Sequence, residues 1–407
     1  MYDAIVIGGR CAGAVTAMLL ARRGHRVLLL DRGTFPSDVH QGHFIRKHGP
    51  RRLAEWGLLD KVVATNCPPI VTHLTDFGDF PLAGRDIHLG NVAWGYGPRR
   101  RQLDQVLVEA AIEAGAEFRP NFLVESCTWE GDQVVGIRGR DARRKLNSVE
   151  KARVTIGADG KNSFLARAVG APSCEEVPAL TCWYFSYWSG VQTEGFELYL
   201  RNRRAIFGFS TNDNLFAIFI TWPIDEFHSV RANVEGQFMQ VVDQIPGFAE
   251  RVRSGRREEP FYGTADLPNF LRRPFGQGWA LVGDAGCHKD PFEALGICDA
   301  LRDADLLATA VHEGLAGQRP LNEALITYER RRNEATMAEY HDNIARARFS
   351  PLPAEFMHLR LALRGNQEDT KRFIMAREGM IPPEEFFNPE NLERIRSKFQ
   401  DVVVVDG

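Results

Sequence analysis

Three short stretches hold residues whose types and spacing could do chemistry. The first is Gly8-Gly9-Arg10-Cys11-Ala12-Gly13, with an acid, Asp31, further along. The second is Gly157-Ala158-Asp159-Gly160. The third is Gly283-Asp284-Ala285-Gly286, followed by His288-Lys289-Asp290-Pro291 and by Gly296-Ile297-Cys298. Each combines glycines, which let another group approach the backbone, with a carboxylate that can accept from hydroxyl groups.

The elements around the first stretch give it a meaning. Ala4 to Ile7 is a continuous apolar run, as expected of a strand buried on both faces. An Ala/Leu-rich helix is predicted from about Ala12 to Arg23, and a second strand, Val27 to Leu30, ends at Asp31. Strand, tight turn, helix, strand and acid in this order make the first βαβ unit of a dinucleotide-binding fold. The helix start offers free N–H groups and a positive dipole end, which suits a pyrophosphate. Asp31 can accept from both hydroxyls of an adenosine ribose, which fits FAD or NAD and opposes a 2′-phosphate. Arg10 stands where the pattern has its middle glycine, and its guanidinium is expected over the phosphates.

The other two stretches are also strand ends. Val154 to Ile156 leads into the second, with Asp159 able to order neighbouring loops or a ribose. Trp279 to Val282 leads into the third, with a helix start at Gly296-Ile297 able to stabilise negative charge. A basic run, Pro98-Arg99-Arg100-Arg101, opens a helix from Leu103 to Ala114 and could hold a diphosphate or be a solvated turn. His40 and His43 flank Gln41-Gly42, either at the surface or against a cofactor edge. The chain with these motifs is interrupted by Cys67 to Tyr96 and by Pro172 to Asn269. The second interruption is rich in alternating aromatic strands: Trp183, Phe185 and Tyr187 share one face by the period of two. A helix is expected from Val230 to Phe248, an exposed basic face at Arg46, Lys47, Arg51 and Arg52, and an exposed charged helix at Tyr328 to Glu334.

Composition narrows the class. Of 407 residues, 44% are hydrophobic and 25% charged, which suits a globular protein of two or three domains. A net charge of −3 gives no electrostatic case for nucleic acid. No apolar run approaches the ~18 residues of a membrane span. With no visible signal peptide and seven scattered cysteines, an odd number without a CxxC pair, the expectation is a cytoplasmic protein with reduced thiols and no metal site.

The three motifs in this order resemble the class A flavoprotein monooxygenases, the para-hydroxybenzoate hydroxylase-like group, whose fold is shared with flavin-dependent halogenases and geranylgeranyl reductases. The resemblance covers about Met1 to Ala308. It implies that Gly8, Gly9, Gly13 and Asp31 hold the FAD pyrophosphate and ribose, with Arg10, Cys11, Ala12 and Arg32 beside them. Arg100 then matches the arginine near the diphosphate, and Val124 the residue whose backbone meets adenine. Asp159-Gly160 matches the family's DG motif, and Gly283-Asp284 its GD motif, with Asp284 on the ribityl chain. Pro291, Gly296 and Ile297 border the isoalloxazine, and His43 falls where a loop returns to the flavin edge. His43, His288 and Asp290 are acid–base candidates by position. Ala294 replaces the first glycine of the later motif, and Cys298 stands where the family has asparagine. The halogenase pattern Trp-x-Trp-x-Ile-Pro is absent, Thr221-Trp222-Pro223-Ile224 not being a match, and so is the reductase pattern Tyr-x-Trp-x-Phe-Pro.

The expected architecture is therefore α/β: a Rossmann-like FAD domain (1–66, 97–171, 270–316), an interleaved antiparallel β-sheet substrate domain (67–96, 172–269) and a helical C-terminal region (317–407). The expected activity is oxygen transfer to an aromatic or lipophilic small molecule, with NAD(P)H as transient reductant and O₂ as co-substrate. The alternatives are an FAD reductase or dehydrogenase and a flavin-binding protein without turnover.

Overall fold

The computed structural model describes residues 1–193 and 195–405. The chain divides into two units, Met1–His43 with Arg99–Pro178 and Pro268–Ile344, and Phe44–Pro98 with Ala179–Leu267 and the residues from Ala345.

The first unit is built on a twisted sheet. Its elements are β1 (Tyr2–Ile7), α1 (Cys11–Arg22), β2 (Val27–Leu30), α2 (Arg100–Glu113), β3 (Glu117–Arg119), β4 (Phe122–Glu130), β5 (Gln133–Asp141), β6 (Leu146–Gly157), β7 (Trp279–Leu281), α3 (Gly296–Leu315) and α4 (Leu321–Ala347). The strand order is β4-β5-β6-β1-β2-β3, with β7 also paired to β6. β6 does two jobs. Residues 146–151 run antiparallel to β5, and residues 152–157 run parallel to β1. Parallel strands covered on both faces must be apolar throughout, and β2 reads Val-Leu-Leu-Leu with every residue buried. α1 is buried from Cys11 to Ala21 because the sheet, α2 and α3 enclose it, so it carries no polar face.

The second unit is a mixed sheet in the order Arg256–Arg257, Thr181–Ser189, Phe216–Pro223, Arg204–Ser210, Phe196–Arg201, His73–Asp76, Pro81–Gly84. One face (Tyr184, Trp188, Ile206, Ile218, Trp222) packs on Phe238, Val241 and Phe248 from helices. The single helix expected over 230–248 is three: Phe227–Ala232, Val234–Val242 and Pro246–Ser254. Asn233 caps the second through its side chain, and Pro246 starts the third, so each break has a local cause.

Several expectations need correction. Residues 44–66 go with the second unit, because Ile45 bridges Tyr96 and the helix His48–Glu55 packs on Val92–Ala93. The C-terminal region is not one body: α4 up to Ile344 belongs to the first unit. Nor is Tyr328–Glu334 simply exposed. Tyr328 and Arg332 are each 1% exposed, the phenol bonded to the Leu281 carbonyl and the guanidinium to the Arg272 carbonyl, both at 2.9 Å. Arg46 is no solvated charge either, being paired with Glu378 at 2.6 Å.

Candidate functional site

Close packing brings the three glycine stretches together. Gly8 has φ 106°, and a Cβ there would lie 2.3 Å from the Ala158 carbonyl oxygen. A Cβ on Gly13 would lie 1.8 Å from the Gly8 oxygen and 3.0 Å from Ala158 Cβ. The turn after β1 and the turn after β6 are therefore in contact, and only glycine allows it. Gly283, at φ 61°, faces Ala12 in the same way, a Cβ there falling 2.7 Å from Ala12 Cβ. α1 thus begins at the meeting point of all three.

The groups at this point are of the kinds that could hold a nucleotide. The helix N-cap, Arg10, makes no side-chain cap bond, so the first-turn N–H groups of α1 are not capped by a side chain. Asp31 accepts from Gly9 N at 2.7 Å and Gly33 N at 2.6 Å, and each carboxylate oxygen keeps a lone pair. Asp159 accepts from Phe164 N at 2.6 Å, while its Oδ1 is buried without a hydrogen-bond partner. Burial also holds its carboxyl above the usual carboxylate range. A buried polar atom without a partner calls for an explanation, and a ligand hydroxyl would supply one here. Asp284 is partly exposed in the turn Gly283–Ala285.

Beside α1 lies a charge cluster that the motifs alone do not announce. Asp104, 1% exposed, accepts from Arg10 Nη1 at 2.6 Å, from Arg100 Nη2 at 3.0 Å and from Cys11 Sγ at 3.4 Å. Burial pushes the Cys11 thiol up to about 12, so it stays a neutral donor. Arg10 also reaches Ser37 at 3.1 Å and lies 5.2 Å from the centre of the Phe35 ring, and Arg100 donates to Gln41 at 2.9 Å. Two guanidinium groups share one carboxylate, an arrangement that favours an anion nearby. The sequence signal for Asp104 was its spacing of four from Arg100 on one helix.

The remaining candidates each have their own surroundings. Val124 packs in the core with Ile7 and Leu30, whereas Arg32 is exposed. Gly160 has φ 80° and open space around it. His43 is buried and lies close enough to act on the charge of Asp38. Pro291 opens the turn Pro291–Glu293, Gly296 opens α3, and Ile297 is buried just after it. His288 is stacked on Phe270 with its Nδ1 on the Pro268 carbonyl, and Asp290 Oδ1 accepts from Phe292 N at 3.1 Å.

A family model described as "FAD binding domain" matches residues 1–341. The chain belongs to that family. It is an FAD-dependent oxidoreductase. A digeranylgeranylglycerophospholipid reductase of Methanosarcina acetivorans is 26% identical over 351 residues, 83% of this chain and 81% of that protein. Among solved structures, the myxobacterial chondrochloren halogenase CndH has a TM-score of 0.77 at 20% identity, over 98% of this chain and 96% of that one. A probable FAD-dependent monooxygenase from Pseudomonas aeruginosa, pqsL, has a TM-score of 0.69 at 19% identity, over 92% and 98%. Likeness at this identity speaks for the fold. Among the described residues no helix is long and apolar enough to cross a membrane, and no group of three or more His, Cys, Asp or Glu could hold a metal ion.

In this flavoprotein the residues present fit FAD: a glycine-lined turn, an uncapped helix start, a ribose-type carboxylate and an excess of guanidinium. Arg10→Ala is expected to weaken FAD binding about tenfold, about 1.4 kcal/mol, read by fluorescence titration of the apoprotein. Unchanged or tighter binding would mean that Arg10 serves Asp104 alone.

The second unit offers a different surface. The sheet face opposite its helices carries Trp183, Phe185, Tyr187, Phe207, Phe209 and Phe219, all buried. Phe219 stacks between Phe185 at 4.4 Å and Phe209 at 5.5 Å, and Trp183 meets Phe207 at 5.4 Å. An open cleft of about 650 Å³, lined by Tyr184, Phe227, Arg231 and Asp266, includes a residue of the helix-packed face and not of this one.

Proposed function

We propose that this flavoprotein is an NAD(P)H-dependent monooxygenase that transfers one oxygen atom from O₂ to an aromatic or lipophilic small molecule. The observation that carries the reading is the aromatic face of the second unit. Six large buried rings on one face, Phe219 stacked with Phe185 and Phe209 and Trp183 against Phe207, suit a flat apolar substrate and exclude water. The family resemblance and the named monooxygenase of the same fold support it.

FAD would supply the redox chemistry, taking electrons from a nicotinamide and passing them onward. The chain binds and orients. Asp31 would receive the ribose hydroxyls on its remaining lone pairs, and the start of α1, with Arg10 and Arg100, would hold the pyrophosphate. Asp284 would meet the ribityl chain and the start of α3 the ring. His288 has Nδ1 engaged by a backbone carbonyl, which leaves Nε2 as the atom able to move a proton. Asp290 spends its carboxylate on capping a turn, which fits positioning better than acid–base work. The reductant visits transiently and needs no domain of its own.

The test is product mass under ¹⁸O₂ with NAD(P)H and a panel of lipophilic aromatics. One labelled oxygen per product is expected. An unlabelled product would favour the second reading, a reductase or dehydrogenase, which the similarity to a digeranylgeranylglycerophospholipid reductase supports. That reading requires substrate-dependent NAD(P)H oxidation without O₂. Absence of any NAD(P)H oxidation would point to a flavin-binding protein without turnover.

A further inference from the structure

The loop from His288 to Gly296 is held by side chains far away in sequence. Asn269, 1% exposed, accepts the Asp290 N–H on Oδ1 at 2.7 Å, and its Nδ2 faces the Pro178 carbonyl at 3.4 Å. Asn343, on α4 and also 1% exposed, donates to the Asp290 carbonyl at 2.9 Å and accepts the Glu293 N–H at 3.0 Å. The two amides therefore hold Asp290 by both its N–H and its C=O. A neutral amide both donates and accepts, and Asn343 uses both capacities on one loop. A leucine of similar size would leave the Asp290 carbonyl and the Glu293 N–H without these partners.

The placement of these amides is informative. Asn269 and Asn343 lie where the chain enters and leaves this last segment of the first unit, beside Pro268 and Ile344. Pro178, at a third crossing, is tied to Asn269, and the Pro268 carbonyl to His288. Beyond the anchored part, Ala294 adopts the left-handed conformation, φ 51° and ψ 40°, which is strained for a residue with a Cβ. Such strain persists only where the surroundings over-determine it. α3 follows, with no side-chain cap at its start.

We infer that Asn343, assisted by Asn269, is a positioning residue for the flavin ring, because it fixes the Asp290–Gly296 loop and so the place where the N-terminus of α3 meets the ring. The inference rests on the proposed placement of the ring at this loop. FAD itself is gripped elsewhere, by the α1 turn and Asp31. Loss of the amide should therefore disturb the ring without releasing the cofactor.

The experiment compares the FAD-loaded full chain, wild type, with Asn343→Leu, Asn343→Asp and Tyr328→Phe. Visible absorption, midpoint potential, FAD affinity and thermal stability are measured on each. Asn343→Leu is expected to keep FAD within about tenfold of wild-type affinity and to shift the flavin bands. It should also change the relative affinity for oxidised and reduced flavin about tenfold, about 30 mV for a two-electron couple. Asn343→Asp keeps an acceptor for Glu293 N–H and loses the donor to Asp290, so it should shift bands and potential as well. It carries the comparison if the leucine variant does not fold. Tyr328→Phe removes a bond from the same helix to Leu281, and should lower stability with bands and potential unchanged. Wild-type bands and potential in the Asn343 variants, or equal shifts in Tyr328→Phe, would overturn the inference. A wild-type chain that takes up no FAD would overturn the reading beneath it.

Discussion

Asp104→Ala is expected to destabilise the first unit by about 3–5 kcal/mol, the range for removing one partner of a buried ion pair. Asp104 is 1% exposed and Arg100 5% exposed. Burial opposes the charge on Arg100, but Asp104 outweighs it and holds the guanidinium above its ordinary pKa. Without the carboxylate Arg100 cannot shed its proton at any working pH, and it keeps its hydrogen bond to Gln41. The loss should be local, because α2 carries both residues and α1 carries Cys11, with Arg10 at its N-cap. Hydrogen exchange is the suitable measurement: amides of α1 and α2 should lose protection, whereas those of Thr181–Ser189 in the second unit should not. A loss below 1 kcal/mol would show that the cluster is solvated in solution.

Acid should weaken the second unit through His73. Its ring lies 4.9 Å from Trp94 and 5.2 Å from Phe196, and its Nδ1 has no hydrogen-bond partner. Burial lowers its pKa from 6.5 to about 4; Glu378 pulls the other way, and Arg46 and Arg377 reinforce the fall. The unfolded chain takes a proton below about 6.5 and the native one only near 4, so stability falls as pH drops through that window. The full shift is worth roughly 3 kcal/mol. Glu378 acts in the same sense. Burial would raise its pKa, but Arg46 at 2.6 Å brings it below the ordinary value. Its contribution is present above the unfolded carboxylate range and is lost as pH falls through the lower native value. Urea unfolding of His73→Phe between pH 7 and pH 4.5, followed by hydrogen exchange in the second unit, should show a flatter pH dependence than wild type. Identical slopes would clear His73 of the effect.

Local pattern made the nucleotide-binding half legible. Apolar runs of four to six residues, glycines at strand ends and one acid after β2 are signals contained within a few residues of each other, and β1, α1 and β2 formed within a residue or two of their expected bounds. What stayed hidden depends on partners remote in sequence. Arg46 looked solvated because Glu378, its partner, is 332 positions away. Arg332 looked like one of a charged run because a backbone carbonyl at Arg272, 60 residues upstream, holds it. The clamp by Asn269 and Asn343 leaves no trace in composition, since an asparagine bonded to peptide groups reads like one at a surface. Asp104, one helical turn from Arg100, carries a local signal, its spacing on α2, that the basic residues around it obscure.

The length of α4 sets how far the polypeptide can be shortened. Family similarity stops at residue 341, in the last turns of a helix that continues to Ala347. A product ended there would keep the front of that helix stitched down by Tyr328 and Arg332, and would retain every turn proposed to grip the nucleotide. It would forfeit Asn343, two positions further on. A trimmed version of this enzyme that stays yellow could therefore still be mistuned, and a faithful minimal version has to run past the end of its family match.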